Sequence, residues 1–257
     1  MALFDLHGKI VLVTGGYGHL GTAMCNGLAE FGATVYVLGR SEEKYKNRFS
    51  DNNTSIHFQH CDISDTESIR TAFAYIYQTH SRIDVLINNA MYVSGQQPLG
   101  ITDEEWAHSI DGTLNSVYRC IREIAPYFQK LEKGKVINIS SMYGMVSPDF
   151  RIYESAPEYW NPPHYGAAKA GVLQLTKYFA QLLGPTNVQV NAISPGPFPS
   201  DKVQQNQAFI KALKEKTALR RIGNPEDLVG AVVFLSSPAA DYITGHNLVV
   251  DGGWTIT

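Results

Sequence analysis

The chain has 257 residues, of which 44% are hydrophobic and 18% charged, and this composition excludes bulk disorder, collagen-like repeats and coiled coils. A net charge of −3 provides no overall positive field, so we expect neither nucleic acid nor a membrane surface as a partner. No run of about 18 apolar residues predicts a membrane span, and the N-terminal segment carries an early acid without a basic region, which argues against a secretory signal.

The three cysteines are far apart in sequence and lack CxxC spacing, and none of the eight histidines falls in a paired metal-binding pattern. We therefore expect no disulfide framework and no metal site. A reducing, cytoplasmic location fits these features best.

Apolar, β-branched segments alternate with helical patterns along the whole chain. The predicted strands are 10–13, 34–38, 55–60, 84–88, 135–139, 188–193 and 247–250, and the predicted helices are 19–31, 65–80, 102–130, 165–183 and 225–235. Thr102 and Glu105 have capping-box spacing at the start of the long helix. Continuously apolar strands favour a parallel sheet that is covered on both faces. We predict a single α/β domain over 1–257, a Rossmann-like doubly wound sheet of about seven strands with helices on both faces.

A glycine-rich loop follows the first predicted strand. Gly16, Gly18 and Gly21 match the GxGxxG spacing, and the loop leads into the first predicted helix, which is the context that a dinucleotide-binding motif requires. Glycines allow the tight turn and let backbone N–H groups approach a pyrophosphate at the helix N-terminus. The loop predicts a dinucleotide cofactor, and the alternative is a glycine-rich turn without a ligand.

The second predicted strand ends in Gly39, Arg40 and Ser41, where NAD-preferring dinucleotide folds usually carry an acid. The Arg40 guanidinium can pair with the 2′-phosphate of NADP, and the Ser41 hydroxyl can add a hydrogen bond. We predict that NADP(H) is preferred. NAD(H) is the alternative cofactor, and a solvated surface arginine is the alternative role of Arg40.

Tyr165 and Lys169 are four residues apart on a predicted helix and so share one face. A free phenol has a pKa of about 10, and a nearby cation lowers it, which suits the phenol to exchange a proton while hydride moves at an adjacent carbon. Ser140 and Ser141 end the fifth predicted strand on the ligand side of the sheet, where a hydroxyl can hold a substrate oxygen. We interpret Ser141, Tyr165 and Lys169 as a catalytic group.

Over essentially its whole length the chain resembles the classical, single-domain branch of the short-chain dehydrogenase/reductase family. The matching motifs are Thr14-Gly15 with Gly21, Asp62, Asn88-Asn89-Ala90, Ile139-Ser140-Ser141, Tyr165-x-x-x-Lys169, Pro195-Gly196 and Val250-Asp251-Gly252-Gly253. The resemblance implies that Tyr165 is the catalytic acid/base, that Lys169 lowers its pKa and binds the nicotinamide ribose, and that Ser141 orients the substrate carbonyl. With the residues above, the predicted cofactor-binding set is Gly15, Tyr17, Gly18, His19, Leu20, Gly21, Arg40, Ser41, Asp62, Ile63, Asn89, Ala90, Tyr165, Lys169, Pro195 and Gly196.

The sequence departs from the family pattern at several positions. His19 replaces a glycine of the loop, Met91 follows Asn88-Asn89-Ala90 in place of glycine, and Thr113 stands where the family carries an asparagine that anchors a water relay. Residues 148–163 form an insertion between Ser141 and Tyr165. We interpret it as an ordered substrate-recognition lid, and the alternatives are an oligomer contact and a loop without a specific role.

Met91, Tyr143, Tyr153, Tyr159, Trp160 and His164 are the predicted substrate contacts. Because Arg151, Glu154, Glu158 and Asn161 can also supply hydrogen bonds, a polar or sugar-like substrate is favoured. The predicted function is the interconversion of a secondary alcohol and a ketone by a homotetramer or homodimer. The alternatives are a 3-oxoacyl thioester reductase and a non-catalytic dinucleotide-sensing protein.

Overall fold

The computed structural model describes residues 3–49 and 54–257, and within these ranges seven strands form one sheet. The strands are β1 (Ile10–Thr14), β2 (Thr34–Gly39), β3 (Ile56–His60), β4 (Val85–Asn88), β5 (Gly134–Ile139), β6 (Val188–Pro195) and β7 (Asn247–Val250). Their order is β3-β2-β1-β4-β5-β6-β7, and every neighbouring pair is parallel. The predicted Rossmann-like parallel sheet is confirmed. Residues 1–2 of the N-terminal segment lie outside the described residues.

Helices cover both faces of this sheet. They are α1 (His19–Glu30), α2 (Glu42–Lys46), α3 (Thr66–His80), α4 (Asp103–Ile110), α5 (Ser116–Leu131), α6 (Pro163–Leu183), α7 (Asp201–Gln204), α8 (Gln207–Lys216) and α9 (Val229–Ser236). One core lies between the sheet and α3, α5 and α6, and a second lies between the sheet and α1 and α9. Leu12 of β1 packs into the first core, whereas Val11 and Val13 pack into the second. The strands are continuously apolar because both of their faces are buried.

The helix predicted over 102–130 is interrupted. Thr102 and Glu105 make the expected capping box, but a π-helical segment, Asp111–Asn115, separates α4 from α5. At Gly112 a Cβ atom would lie 2.1 Å from the Tyr92 carbonyl oxygen, so glycine lets the loop after β4 approach the helix. The interruption lies where the helix passes closest to this loop.

The insertion at 148–163 is ordered by packing. It forms two 3₁₀ turns, Phe150–Tyr153 and Pro157–Tyr159. Ile152, Tyr153 and Ala156 are buried in a third cluster, together with residues of α8. The Gln96 side-chain amide donates hydrogen bonds to the carbonyls of Glu158 and Trp160, so the loop after β4 holds the other end of the insertion.

No helix within residues 3–49 and 54–257 is long and apolar enough to cross a membrane. Within the same ranges, no three His, Cys, Asp or Glu side chains form a group that can hold a metal ion.

Candidate active site

A cavity of about 480 Å³ opens at the carboxyl ends of the central strands, and we call it the main cavity. Ligands in doubly wound sheets bind at this edge. Of the predicted residues, those that line it are Gly15, Tyr17, Gly18, His19, Leu20, Arg40, Asp62, Ile63, Asn89, Ala90, Met91, Ser141, Tyr165, Lys169, Pro195 and Gly196.

The glycine loop and the segment after β4 form one wall of the main cavity. Gly15 has a φ of +64°, and a Cβ there would lie 3.0 Å from the Ala90 Cα. The Thr14 hydroxyl accepts hydrogen bonds from the backbone N–H groups of Asn89 and Ala90, both at 3.0 Å. The Asn89 amide donates to the carbonyls of Thr14 and Gly15, at 3.0 and 3.1 Å. These contacts hold the two loops together at the edge of the cavity.

The N-terminus of α1 lies at the same wall. Gly18 is its N-cap and supplies no side-chain hydrogen bond, and the first turn carries no acidic side chain, as judged from the described residues. Because the first N–H groups of a helix have no partner within the helix, they are available to an anion here. Gly21 does not line the cavity. A Cβ at Gly21 would lie 2.5 Å from the Gly15 carbonyl, so its contribution is close packing beneath the loop.

Arg40 and Lys44 bring two cations to the far end of the main cavity. The ring of Tyr17 covers Gly39, where a Cβ would lie 2.4 Å from a ring carbon, and the Tyr17 hydroxyl accepts a hydrogen bond from the Arg40 N–H at 3.1 Å. The end of β2 therefore has no room for a larger side chain at position 39.

Ser41 does not line the main cavity, and its role as a cofactor contact stays a prediction. Its hydroxyl accepts a hydrogen bond from the Lys44 N–H at 3.2 Å and caps α2. Lys44 was not predicted, and no motif in the sequence marks it. Nearby, burial acts to raise the pKa of Asp62, but hydrogen bonds from Ser64 and the charge of Arg40 hold it below its usual value.

Ser141, Tyr165 and Lys169 meet at the other end of the main cavity. Ser141 follows β5 and accepts a hydrogen bond from the Tyr143 N–H at 3.1 Å. Burial raises the pKa of Tyr165, and a hydrogen bond with Ser141 offsets part of that rise. The phenol is therefore protonated at neutral pH and is suited to donate a proton.

The Lys169 ammonium lies 5.7 Å from the centre of the Tyr165 ring and donates a hydrogen bond to the Ile139 carbonyl at 2.7 Å. Burial lowers the pKa of Lys169 to about 8, so the group is largely charged at neutral pH. The Ser140 hydroxyl donates to the Lys169 carbonyl at 2.9 Å and fixes α6 against the end of β5. Among the described residues, burial and the hydrogen bond with Ser141 set the pKa of Tyr165, and Lys169 does not contribute to it.

Thr113 lies in the π-helical segment and is buried, and its hydroxyl has no hydrogen-bond partner among the described residues. A role for Thr113 in place of the family asparagine that anchors a water relay thus stays a prediction.

The predicted substrate contacts separate into three groups. Met91 lines the main cavity. Tyr143, Tyr153 and Tyr159 line a neighbouring cavity of about 300 Å³, which we call the aromatic chamber. Trp160 and His164 line neither. His164 is fully buried, with its Nε2 atom 3.2 Å from the Gly95 carbonyl oxygen, so burial removes it from reach of a substrate.

Three aromatic residues on these walls were not predicted, namely Tyr92, which lines the main cavity, Phe198 and Phe209. Phe198 lines both the main cavity and the aromatic chamber, and Phe209 of α8 lines the chamber. Phe198 follows Pro195 and Gly196 closely in sequence, which is the available signal for it. No comparable signal marks Phe209, because only the packing of α8 on the insertion brings it near.

The charged groups of the insertion point away from both cavities. Arg151 pairs with Asp149 at the surface, and 85% of its side chain is exposed. Glu154 and Glu158 are exposed as well. The sequence favoured a sugar-like substrate because these side chains could supply hydrogen bonds to it. Their exposure at the surface weakens that argument.

Comparisons with known proteins agree with this geometry. A family model described as enoyl-(acyl carrier protein) reductase matches residues 18–255. The cyclopentanol dehydrogenase of Comamonas sp. (strain NCIMB 9872) is 33% identical over 254 residues, covering 96% of this chain and 97% of that protein. The 3-oxoacyl-(acyl-carrier-protein) reductase of Chlamydia muridarum is 31% identical over 250 residues, covering 95% of this chain and 96% of that protein.

Two solved structures show the same likeness. A short-chain dehydrogenase from Leptospira borgpetersenii with bound NAD+ has a TM-score of 0.88 and 31% identity, covering 98% of this chain and 94% of that one. A gluconate 5-dehydrogenase from Burkholderia cenocepacia in complex with NADP and tartrate has a TM-score of 0.88 and 28% identity, covering 99% of this chain and 98% of that one. The fold, the site and these relatives together establish that the chain belongs to the short-chain dehydrogenase/reductase family of oxidoreductases.

Proposed function

We propose that the protein interconverts a secondary alcohol and a ketone with NADP(H) as its preferred cofactor. The observation that carries the proposal is the meeting of Ser141, Tyr165 and Lys169 in the same cavity as the uncapped N-terminus of α1. The cavity therefore offers proton transfer at one end and an anion-binding helix terminus at the other.

The residues fit a dinucleotide, which when bound would supply or accept the hydride. In ketone reduction the Tyr165 hydroxyl gives its proton to the carbonyl oxygen, which yields the secondary alcohol once the carbon has gained hydride. The Ser141 hydroxyl, hydrogen-bonded with Tyr165, holds that oxygen in place. The charged Lys169, held by its hydrogen bond to the Ile139 carbonyl, would bind the nicotinamide ribose beside Tyr165. In the oxidation direction each proton movement is reversed.

The preference for NADP(H) rests on Arg40 and Lys44, which both line the main cavity, and on Gly39, which provides no acid to bind ribose hydroxyls. Charge-assisted pairing of this kind supports an about ten- to hundredfold preference. NAD(H) is the alternative, in line with the relative that was solved with NAD+.

A binding titration and a turnover assay test this proposal. Protein fluorescence with NADPH and NADH should show tighter binding of NADPH, and Arg40→Ala and Lys44→Ala should each weaken NADPH about tenfold while changing NADH little. Lys46→Ala is the matched control, since Lys46 lies on α2 but does not line the cavity. Equal affinities would contradict the cofactor assignment, and the absence of NADPH oxidation with every ketone would contradict the activity.

A second candidate, reduction of a 3-oxoacyl thioester, is favoured by the likeness to the Chlamydia muridarum reductase. A 3-oxoacyl thioester in the same assay distinguishes the two. A dinucleotide sensor without catalysis would bind NADPH and turn over neither substrate. We also propose that the protein is a homo-oligomer, since α5 and α6 carry exposed apolar side chains. We propose a cytoplasmic location because the three buried cysteines are free thiols.

A further inference from the structure

We propose that the aromatic chamber binds the unreactive part of the substrate, and that this part is an uncharged ring bearing a hydrogen-bonding oxygen remote from the reacting carbon. The inference rests on the proposed function, because it requires the reacting carbonyl to lie at Tyr165. It deepens that function by assigning the substrate class.

The chamber adjoins the main cavity that holds the catalytic group. Phe198 lines both the chamber and the main cavity, and Met142, the residue after Ser141, lines the chamber. Tyr165 itself packs against the cluster that contains Tyr143, Tyr153 and Phe209. A small molecule whose carbonyl contacts Ser141 and Tyr165 therefore has the chamber as a neighbouring space for its remaining atoms.

The walls of the chamber are apolar and flat. Phe209 packs against Tyr153 and Tyr159 with ring centroids 5.4 and 5.3 Å apart, and Phe198 supplies a further ring. The volume of about 300 Å³ is ample for a single ring, since an apolar cavity of about 150 Å³ holds benzene. Flat aromatic walls favour stacking against a ring.

The chamber lacks charge. Its lining residues, all within the described ranges, include no Asp, Glu, Lys, Arg or His. A carboxylate that packs against these walls would lose part of its water without gaining a cationic partner, which is unfavourable. The chamber therefore selects against acids, in contrast to a site for sugar acids.

Two tyrosine hydroxyls provide a polar contact in this largely apolar space, whose lining also includes the Gln96 side chain. The hydroxyls of Tyr143 and Tyr153 lie 2.5 Å apart, and both residues are buried, at 9% and 4% exposure. Within the described chain neither hydroxyl has a second hydrogen-bond partner. Two hydroxyls carry two protons and one is used between them, so one O–H donor remains for a ligand oxygen. Burial raises the pKa of both groups, which keeps them as neutral donors.

Steady-state reduction of three matched ketones tests the assignment: cyclohexanone, its derivative with a hydroxyl on the carbon opposite the carbonyl, and the derivative with a carboxylate at that carbon. With NADPH we expect kcat/KM to be about three- to tenfold higher for the hydroxy ketone than for cyclohexanone, and at least tenfold lower for the carboxylate. Tyr153→Phe and Tyr143→Phe should each bring the ratio of kcat/KM for the hydroxy ketone to kcat/KM for cyclohexanone closer to one. Tyr242→Phe is the control, since Tyr242 is fully exposed and lines neither cavity.

The same three ketones are titrated into the protein–NADPH complex and followed by thermal shift, so that binding is measured apart from turnover. The inference would be overturned if the carboxylate gave the highest kcat/KM or the tightest binding of the three ketones. It would also be overturned if the ratio of kcat/KM for the hydroxy ketone to that for cyclohexanone were unchanged in both phenylalanine variants. Binding in the predicted order without turnover of any ketone would support the chamber and contradict the proposed activity. Turnover of the ketones without the predicted order of kcat/KM would support the activity and contradict the assignment of the chamber.

Discussion

At the scale of single residues, Tyr165 is the group on which the proposed chemistry depends. Tyr165→Phe removes the hydroxyl and keeps the ring that packs against the third cluster. Loss of general acid–base catalysis should lower kcat about 10²- to 10⁴-fold, while the dissociation constant for NADPH changes less than about threefold. Stopped-flow turnover and a fluorescence titration measure the two quantities. Near-normal turnover would show that the proton comes from another group.

The pH dependence of the reaction follows from the pKa of the same residue. Burial raises the pKa of Tyr165 above its usual value of 10.0. The protonated phenol is the active form for reduction, so loss of the Tyr165 proton should lower kcat for reduction only as the pH rises through that raised value. Lys169, with a pKa of about 8, is the first group of the site to lose its proton, and any fall in the rate near that pH belongs to it. Oxidation needs the phenolate and should rise over the alkaline range in which Tyr165 loses its proton. Initial rates in both directions test this, and a reduction rate that falls between about pH 5 and 7 would contradict it.

At the scale of elements, sequence periodicity predicted the strands and long helices well because each buries a regular apolar face. It could not predict the π-helical segment Asp111–Asn115, which coincides with a tertiary contact between Gly112 and the loop after β4. The short helices α7 and α8 were missed for a related reason. Their apolar side chains, such as Phe209 and Leu213, pack on the insertion, and no strand–helix alternation marks them.

The insertion at 148–163 is the element most particular to this chain, and replacing residues 150–160 by a short Gly-Ser link tests its role. The change removes Tyr153 and Tyr159 from the aromatic chamber and leaves the main cavity lining intact. We expect KM for ketones that fill the chamber to rise at least tenfold, while small acyclic ketones lose less and NADPH affinity stays within about threefold.

The trimmed variant also loses Ile152 and Ala156 from the third cluster, so a lower Tm is expected and must be measured beside the kinetics. A folded variant with unchanged ketone kinetics and an altered oligomeric mass would identify the insertion as an assembly element.

At the scale of the whole molecule, the sequence predicted which residues meet, because the ends of parallel strands converge on one edge of the sheet. Ser141 after β5 and Arg40 after β2 lie where this rule puts them. Distances along the chain could not show which side chains turn inward. Ser41 caps a helix and His164 is buried, while Lys44 and Phe198 reach the site from positions that carry no motif.

The outer surface of α5 and α6 leads to a prediction about assembly. Tyr118, Tyr178 and Leu182 are 42%, 60% and 56% exposed on these two helices, which pack side by side. A cluster of exposed apolar side chains on neighbouring helices is typical of an interface between copies of a chain. We expect a dimer or tetramer by light scattering. Tyr178→Glu combined with Leu182→Glu should raise the subunit dissociation constant at least about tenfold, because two carboxylates would lose water at the contact.

Leu99→Glu is the matched control, since Leu99 is fully exposed and lies on the loop between β4 and α4. Circular dichroism on each variant separates dissociation from unfolding. A monomeric mass for the unaltered chain, or an unchanged mass for the folded double variant, would contradict assembly through α5 and α6. If the double variant dissociates but retains NADPH binding, each main cavity is complete within one chain, as expected from residues that all belong to the same sheet edge.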